Sequence, residues 1–164
     1  MVEDRYNRQE LIEGWNQECL AQSRVAVIGS GMLANFTLTG MAALGIGTIE
    51  IYDSARVEAQ KEFLVFSTPE GEAKVSGLEK MLRQINPAIN IKGVNVSLNS
   101  RIMPLLGKPN LLVDVSNDHV SKEMVTRYAL SRNIPIISAV SDDERSEMQI
   151  VQQELPPHFF PGYA

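Results

Sequence analysis

The fold of this chain is decided by the stretch Val25-Ala26-Val27-Ile28-Gly29-Ser30-Gly31-Met32-Leu33-Ala34. Its first four residues are apolar without polar alternation, which predicts a strand buried on both faces, as parallel sheets require. Gly29 and Gly31 then permit a tight turn, and the helix that follows would point the positive end of its dipole at an anion. The pattern, G-x-G-x-x-A ending at Ala34, predicts either a nucleotide-binding turn or a plain strand-to-helix connection.

A second feature strengthens the nucleotide interpretation. Asp53 ends another apolar strand, 48–52, and lies roughly 20 residues past the glycines, where an acid bonds ribose hydroxyls in units of this kind. Between the two strands, residues 31–44 predict a helix. Its expected core face has helical spacing and consists of Leu33, Phe36, Thr37, Gly40, Met41 and Leu44.

The rest of the chain alternates predicted strands and helices, which indicates an α/β, Rossmann-like doubly wound fold. We expect a mostly parallel sheet with helices on both faces. The predicted strands are 24–28, 48–52, 89–96, 111–115, 134–138 and an edge strand at 147–152. The predicted helical segments are an N-terminal arm at 5–23 interrupted at Gly14, then 71–85, a short turn at 100–106, and 119–132. A long loop covers 54–70, and the tail 154–164 is too rich in proline to continue a helix or sheet.

Composition excludes several classes of protein. At 164 residues the chain predicts a single domain, 1–164, and its net charge of −5 argues against a nucleic-acid binder. The one cysteine, Cys19, excludes an internal disulfide and a cysteine zinc site, and no metal-ligand pattern is visible. No apolar stretch reaches bilayer-spanning length, and the start lacks a signal peptide's apolar segment. We therefore expect a cytoplasmic protein with no nucleic-acid or membrane partner.

Several motifs outside the glycine turn resemble one family. Arg5-Tyr6-Asn7-Arg8-Gln9 precedes the first strand, and Met41 to Gly47 leads into the strand that ends at Asp53. Lys74-Val75, Ile85-Asn86-Pro87 and the segment Asp114-Val115-Ser116-Asn117-Asp118 follow. In that order and spacing the chain, from Arg5 to Val151, resembles the ThiF/MoeB/HesA superfamily of ubiquitin-activating-type enzymes.

The resemblance implies adenylation of the C-terminal carboxylate of a ubiquitin-like or sulfur-carrier protein. ATP would be attacked at its α-phosphate, with Mg²⁺ assisting, to give an acyl-adenylate and pyrophosphate. By position in the family's motifs, the implied nucleotide-binding residues are Gly29, Gly31, Ala34, Asp53, Lys74 and Asn117. The implied catalytic residues are Arg8, Lys74 and Asp118. The family's N-terminal arginines, matched by Arg5 and Arg8, include one that reaches ATP across a subunit boundary, which implies a homodimer or heterodimer.

Other family positions have changed. Met32 stands where the family has a glycine, and Ala55 replaces a second aspartate after Asp53. Leu64 falls on a phosphate-binding arginine, and Asn117 falls on the aspartate that the family uses for magnesium. A neutral amide attracts a hard dication far less than a carboxylate does. Asp118 either replaces that aspartate or caps the next helix.

Three hypotheses follow. In the first, the chain is a self-sufficient minimal adenylyltransferase that uses Asp118. In the second, it is a degenerate member, weak or non-catalytic, that supports a catalytic partner by lending its arm. The third is a plain NAD- or FAD-binding Rossmann protein in which Asp53 binds the ribose hydroxyls. This hypothesis does not explain Lys74 or the arm. The changed residues favour the second hypothesis, and Leu64 and Asn117 leave the chain's own catalysis open.

Overall fold

The computed structural model describes residues 5–58, 68–141 and 146–151. A six-stranded sheet forms its centre, in the order β3-β2-β1-β4-β5-β6. The strands are β1 (Arg24–Ile28), β2 (Thr48–Asp53), β3 (Asn90–Asn95), β4 (Leu111–Asp114), β5 (Ile136–Ser141) and β6 (Ser146–Val151). The first five are parallel and β6 pairs antiparallel with β5. The predicted mostly parallel sheet is confirmed.

Helices cover both faces of this sheet, as the doubly wound prediction required. The α-helices are α1 (Gln17–Gln22), α2 (Met32–Leu44), α3 (Lys74–Ile85) and α4 (His119–Arg132), and short 3₁₀ turns occupy Gln9–Leu11 and Met103–Leu106. Helices α2 and α3 pack on one face of the sheet around Val27, Leu38 and Leu78. Helix α4 and the second 3₁₀ turn pack on the other face around Ile28, Leu106 and Val125.

Predicted boundaries differ from the observed ones by a few residues. Helix α3 begins at Lys74 rather than at residue 71, because Gly71 adopts a left-handed φ of 83° in the preceding turn. Strand β5 begins at Ile136 rather than at residue 134. Most of the predicted long loop and the predicted tail lie outside the described residues, as does Leu64.

The predicted core face of α2 is wrong in part, although Leu33 and Met41 are partly buried against the core. The helix buries Ala34, Asn35, Leu38 and Ala42, whereas Phe36 and Leu44 are 55% and 40% exposed. The buried face is therefore rotated by about one residue, or 100°, from the predicted one. Two of its buried side chains are alanines, which let the helix lie close to the sheet.

The N-terminal arm docks at the C-terminal end of α2. Gln9 Nε2 and Gln17 Nε2 both donate to the carbonyl of Leu44, at 3.2 and 3.0 Å. The indole Nε1 of Trp15 donates to Gln17 Oε1 at 3.0 Å. Gly45 ends the helix with a φ of 82°, and a Cβ there would lie 2.6 Å from Tyr6 Oη. Gly45 is thus required both by its backbone angle and by the docked arm.

Asn86 extends this junction to α3. It is buried, and its Nδ2 donates to Tyr6 Oη at 2.7 Å and to the carbonyl of Ala42 at 2.8 Å. Arg5 Nη2 donates to the carbonyl of Ile85 at 2.8 Å. The arm is helical in two pieces separated at Gly14, whose φ is 80°, as predicted. In the described part of the chain, no helix has the length and apolar character needed to cross a bilayer.

Candidate functional site

A cavity of about 960 Å³ lies at the carboxyl ends of the parallel strands. It is placed where the chain order reverses, since β2 and β3 extend the sheet to one side of β1 while β4 and β5 extend it to the other. Ligands of open α/β sheets bind at such a switch point. The residues that line it include six predicted from the sequence: Gly29, Gly31, Asp53, Lys74, Asn117 and Asp118.

The glycine turn forms one wall of the cavity. Gly29 has a φ of 106°, and a Cβ at this position would lie 3.0 Å from the amide nitrogen of Ser116. Gly29 is therefore required by its backbone and by the close approach of the loop after β4. Its N–H donates to the carbonyl of Tyr52 at 3.0 Å, which fixes the turn to the end of β2.

Gly31 has a different role. It occupies the N-cap position of α2 with an ordinary φ of −73°, and no side chain caps the helix there. A Cβ at Gly31 would meet nothing within 4 Å. The glycine thus leaves open space beside the uncapped N–H groups at the start of the helix, which suits an anionic ligand.

Asp53 is held toward this turn. Ser30 Oγ donates to Asp53 Oδ2 at 2.6 Å, and the Ala55 amide donates to Asp53 Oδ1 at 2.8 Å. Each carboxylate oxygen keeps further lone-pair capacity for a ligand hydroxyl. Asn35, in the first turn of α2, also fixes the glycine turn, because its Nδ2 donates to the carbonyls of Ser30 and Gly31 at 3.2 and 2.7 Å.

Lys74 provides the cation among the described residues that line the cavity. It is the first residue of α3, and its backbone N–H donates to the carbonyl of Ala55 at 3.0 Å. A cation at this end of a helix opposes the helix dipole.

Two predicted residues lie away from the cavity. Ala34 is fully buried in the core, so its place in the motif is that of a small packing residue and not a direct ligand contact. Arg8 is exposed on the arm, which docks at the far end of α2. The 13 residues of that helix place this end about 20 Å from the glycine turn.

Asn117 and Asp118 lie on the loop between β4 and α4. Asp118 is the N-cap of α4: its carboxylate accepts from the Val120 amide at 3.1 Å and from Ser121 Oγ at 2.6 Å. The hydrogen bond from Ser121, followed by the one from Val120, lowers the pKa of Asp118. The predicted capping role is confirmed, and a catalytic role for Asp118 stays a prediction.

The same loop is held by a buried ion pair that sequence reasoning missed. Asp114 is fully buried at the end of β4, and its Oδ1 accepts from the Ser116 amide at 3.0 Å and from Ser116 Oγ at 2.7 Å. Lys122 Nζ donates to the same oxygen at 3.2 Å. Asp114 could have been found from the sequence as an acid at the end of an apolar strand. Ser30, which bonds Asp53, could have been found as a hydroxyl between two glycines.

The described residues do not form a resident metal site. No group of three or more histidine, cysteine, aspartate or glutamate side chains is placed to hold a metal ion in residues 5–58, 68–141 and 146–151. The residues that the resemblance places at the magnesium position are an amide, Asn117, and a carboxylate, Asp118, that is already engaged as a cap. A second cavity of about 310 Å³ lies between α4 and the β5–β6 pair, and its lining mixes Lys122 and Arg127 with Glu123 and Glu147.

Comparison with known proteins identifies relatives of this chain. The molybdopterin-synthase adenylyltransferase of Escherichia coli is 27% identical over 144 residues, which cover 84% of this chain and 58% of that protein. The sulfur carrier protein adenylyltransferase of Thermus thermophilus is 29% identical over 143 residues, covering 82% of this chain and 52% of that protein. The chain thus spans little more than half the length of these relatives.

Solved structures share the fold. E. coli MccB, crystallised with succinimide, superposes with a TM-score of 0.81 at 18% identity, over 92% of this chain and 49% of that one. MccB crystallised with ATP superposes with a TM-score of 0.74 at 20% identity, over 84% and 44%. The sequence profile of the ThiF family matches residues 6–159, nearly the whole chain. This chain belongs to the ThiF family.

Proposed function

We propose that this chain is an ATP-binding subunit in the adenylation of the C-terminus of a ubiquitin-like or sulfur-carrier protein. Within that reaction it is a weak or non-catalytic component that supports a catalytic partner chain. The main observation in support is the open space at Gly31, beside the uncapped N–H groups at the start of α2, which we call the phosphate cradle. It lines the same cavity as Lys74 and Asp53. The two relatives described above are named as adenylyltransferases, one of molybdopterin synthase and one of a sulfur carrier protein.

The lining residues fit a nucleoside polyphosphate. The uncapped N–H groups at the start of α2 and the Lys74 ammonium would bind phosphate oxygens. Asp53, oriented by Ser30, would accept hydrogen bonds from the ribose hydroxyls. A volume of about 960 Å³ leaves room for the nucleotide and for the end of a peptide.

In the proposed reaction a carboxylate oxygen of the carrier's C-terminus attacks the α-phosphorus of ATP. The bond between that phosphorus and the oxygen that bridges the α- and β-phosphates breaks, and pyrophosphate leaves with the electron pair of this bond. Positioning and charge neutralisation are the main demands of such a transfer. Mg²⁺ would arrive with the nucleotide, and its chemistry would be to neutralise phosphate charge.

Two features of the site argue for weak catalysis. Met32 is 64% exposed on the cavity wall, so a long apolar side chain stands beside the phosphate cradle. Lys74 is the one cation among the described lining residues, whereas a polyphosphate brings several negative charges. The position of Leu64 lies outside the described residues.

The arm favours a two-chain arrangement. Arg8 lies next to Gln9, which bonds the C-terminal end of α2, whereas the glycine turn lies at the other end of this helix, about 20 Å along its axis. While the arm stays docked, this position suits a nucleotide site in another chain better than the site of its own chain. This matches a subunit, in a homodimer or a heterodimer, that lends its arm to a partner.

Calorimetric titration with ATP and Mg²⁺, with NAD as the parallel ligand, tests the proposal. We expect micromolar ATP binding and weaker NAD binding. Lys74→Ala should weaken ATP binding about tenfold or more, since a charge-assisted contact contributes roughly 1.5–3 kcal/mol.

The matched control is Lys80→Ala, which removes an exposed lysine from the same helix away from the cavity. It should bind ATP as the unmodified chain does. Absence of ATP binding by the unmodified chain, or equal losses in both variants, would contradict the proposal.

Two other functions remain as alternatives. A self-sufficient minimal adenylyltransferase would release pyrophosphate with a carrier protein and no partner chain. A plain NAD- or FAD-binding protein would prefer NAD over ATP and lose that preference on Asp53→Ala. The uncapped α2 terminus and Lys74 together favour a polyphosphate, which is why ATP is the first ligand to measure.

A further inference from the structure

The Asp114–Lys122 pair lies directly behind the proposed nucleotide site. Asp114 ends β4 and is fully buried, and the Lys122 side chain on α4 is 13% exposed. Taking two charges out of water is costly, and such pairs are often no more stabilising than apolar residues of the same size. The pair therefore calls for a reason other than stability.

Lys122 joins three elements through one ammonium group. Its Nζ donates to the carbonyl of Asp114 at 3.1 Å and to Asp114 Oδ1 at 3.2 Å. It also donates to Ser138 Oγ at 3.3 Å and to the carbonyl of Ala139 at 2.8 Å. Helix α4 is thereby fixed to the ends of β4 and β5, immediately below the loop that carries Asn117.

From Asp114 the contacts continue to the glycine turn. Asp114 Oδ1 accepts from both the amide and the hydroxyl of Ser116, which fixes the start of that loop. A Cβ on Gly29 would lie 3.0 Å from the amide nitrogen of Ser116, so the glycine turn and the loop after β4 lie close together. The backbone of Val115 is bonded to β1 as well, its N–H donating to the carbonyl of Ile28 at 2.9 Å. The loop after β4 and the glycine turn therefore have one fixed relative position.

One atom of this network has no partner. Asp114 Oδ2 is buried and accepts no hydrogen bond from any described residue, although its twin Oδ1 accepts three. A purely structural carboxylate would be expected to satisfy both oxygens. The carboxylate is instead oriented toward Ser116 and Lys122, at the expense of its second oxygen.

We propose that Lys122 is a positioning residue for the nucleotide site: through Asp114 and Ser116 it sets the loop bearing Asn117 against the Gly29–Gly31 turn. This inference rests on the proposed function for its ligand, ATP. It assigns a task to a lysine that does not line the nucleotide cavity.

The test compares ATP binding and loop structure in four variants of the full chain. Lys122→Met removes the charge, and Lys122→Arg keeps it. Asp114→Asn/Lys122→Met removes both charges, so that no unpaired buried charge threatens folding. Arg127→Met is the matched control, since Arg127 forms an exposed pair with Glu123 on the same helix.

Amide ¹⁵N–¹H spectra without nucleotide report the positioning directly. We expect Lys122→Met and the double variant to shift the Ser116, Asn117 and Gly29 amides, and Lys122→Arg to restore most of their positions. ATP affinity should fall on the order of 10- to 100-fold with the first two, the loss that is typical when a residue that orients ligating groups is removed. Arg127→Met should leave both readouts unchanged.

A folded Lys122→Met or double variant whose Ser116 and Gly29 amides stay in place would overturn the inference, and so would one that keeps full ATP affinity. If Lys122→Met fails to fold, the double variant decides the question. Failure of the unmodified chain to bind ATP would instead contradict the proposed function, and the nucleotide-free spectra would still test the positioning.

Discussion

At the residue scale, the two glycines of the turn are required for different reasons. Gly29 has a left-handed φ of 106°, and a Cβ there would contact backbone atoms of Val115 and Ser116. Gly31 has an ordinary φ, and a Cβ there would contact no neighbouring atom. The sequence shows two glycines in one motif and cannot separate these roles. Only the folded backbone shows that the fold needs Gly29 and that a side chain at Gly31 would meet no neighbouring atom.

Alanine substitutions should separate the two roles. Gly29→Ala should destabilise the protein by about 1–3 kcal/mol, since it forces a strained backbone and a close contact. Gly31→Ala should stay within about 0.5 kcal/mol of the unmodified stability. Its added methyl group fills the cradle, so ATP binding should weaken. Urea unfolding and calorimetry check both, and the opposite order of stabilities would contradict this assignment.

At the scale of elements, the sequence predicted the sheet and its helices well because each carries a strong local signal. The apolar run of β1 and the polar outer face of α3 are unambiguous. Helix α2 misled us for a physical reason, since it contains no charged residue and no polar stripe marks its outer face. Periodicity alone placed Phe36 and Leu44 inside, and close packing of Ala34 and Ala42 on the sheet turned them outward.

Helix α4 provides a prediction about its cap. Hydrogen bonds from Ser121 and Val120 lower the pKa of Asp118. Because this pKa is lower in the folded state than in the unfolded one, the cap stabilises the protein fully above about pH 4, the ordinary aspartate value. The stabilisation is lost as the pH falls through the lowered pKa.

Asp118→Ala should therefore destabilise the protein at pH 7, as the loss of an N-cap does, and the difference should shrink below about pH 4. Asp118→Asn keeps a capping oxygen and should cost much less. Urea unfolding across pH checks these values. If Asp118→Asn also leaves Mg²⁺-dependent ATP binding unchanged, the side chain is a cap and not a metal ligand.

At the scale of the whole molecule, the site was predictable to the extent that it depends on strand ends. Gly29, Asp53, Lys74 and Asn117 come from three strand-to-helix connections, with Asp53 and Lys74 at the two ends of one of them, and parallel topology brings them to one edge. The supporting contacts were not predictable, because Asp114–Lys122 and Ser30–Asp53 depend on side-chain directions that no motif encodes. The place of the arm at the opposite end of α2 was also invisible before folding.

The arm makes a prediction about assembly. If the chain lends Arg8 to a catalytic ThiF-family partner, adding it should raise the partner's rate of pyrophosphate release. Arg8→Ala should abolish that increase while leaving complex formation intact, because the Arg8 side chain is exposed and the substitution keeps its backbone carbonyl, which accepts from the Leu11 amide. Glu10→Ala, an exposed change on the same arm, is the control. An unchanged rate with Arg8→Ala would rule out this mechanism.

The docking of the arm also gives the protein an internal optical probe. Trp15 is the one tryptophan in the sequence, and its indole is bonded to Gln17, which in turn holds the end of α2. Release of the arm would transfer that indole to water, with a red shift and a change in intensity of its emission. Movement of the arm on binding can therefore be followed by fluorescence without a label.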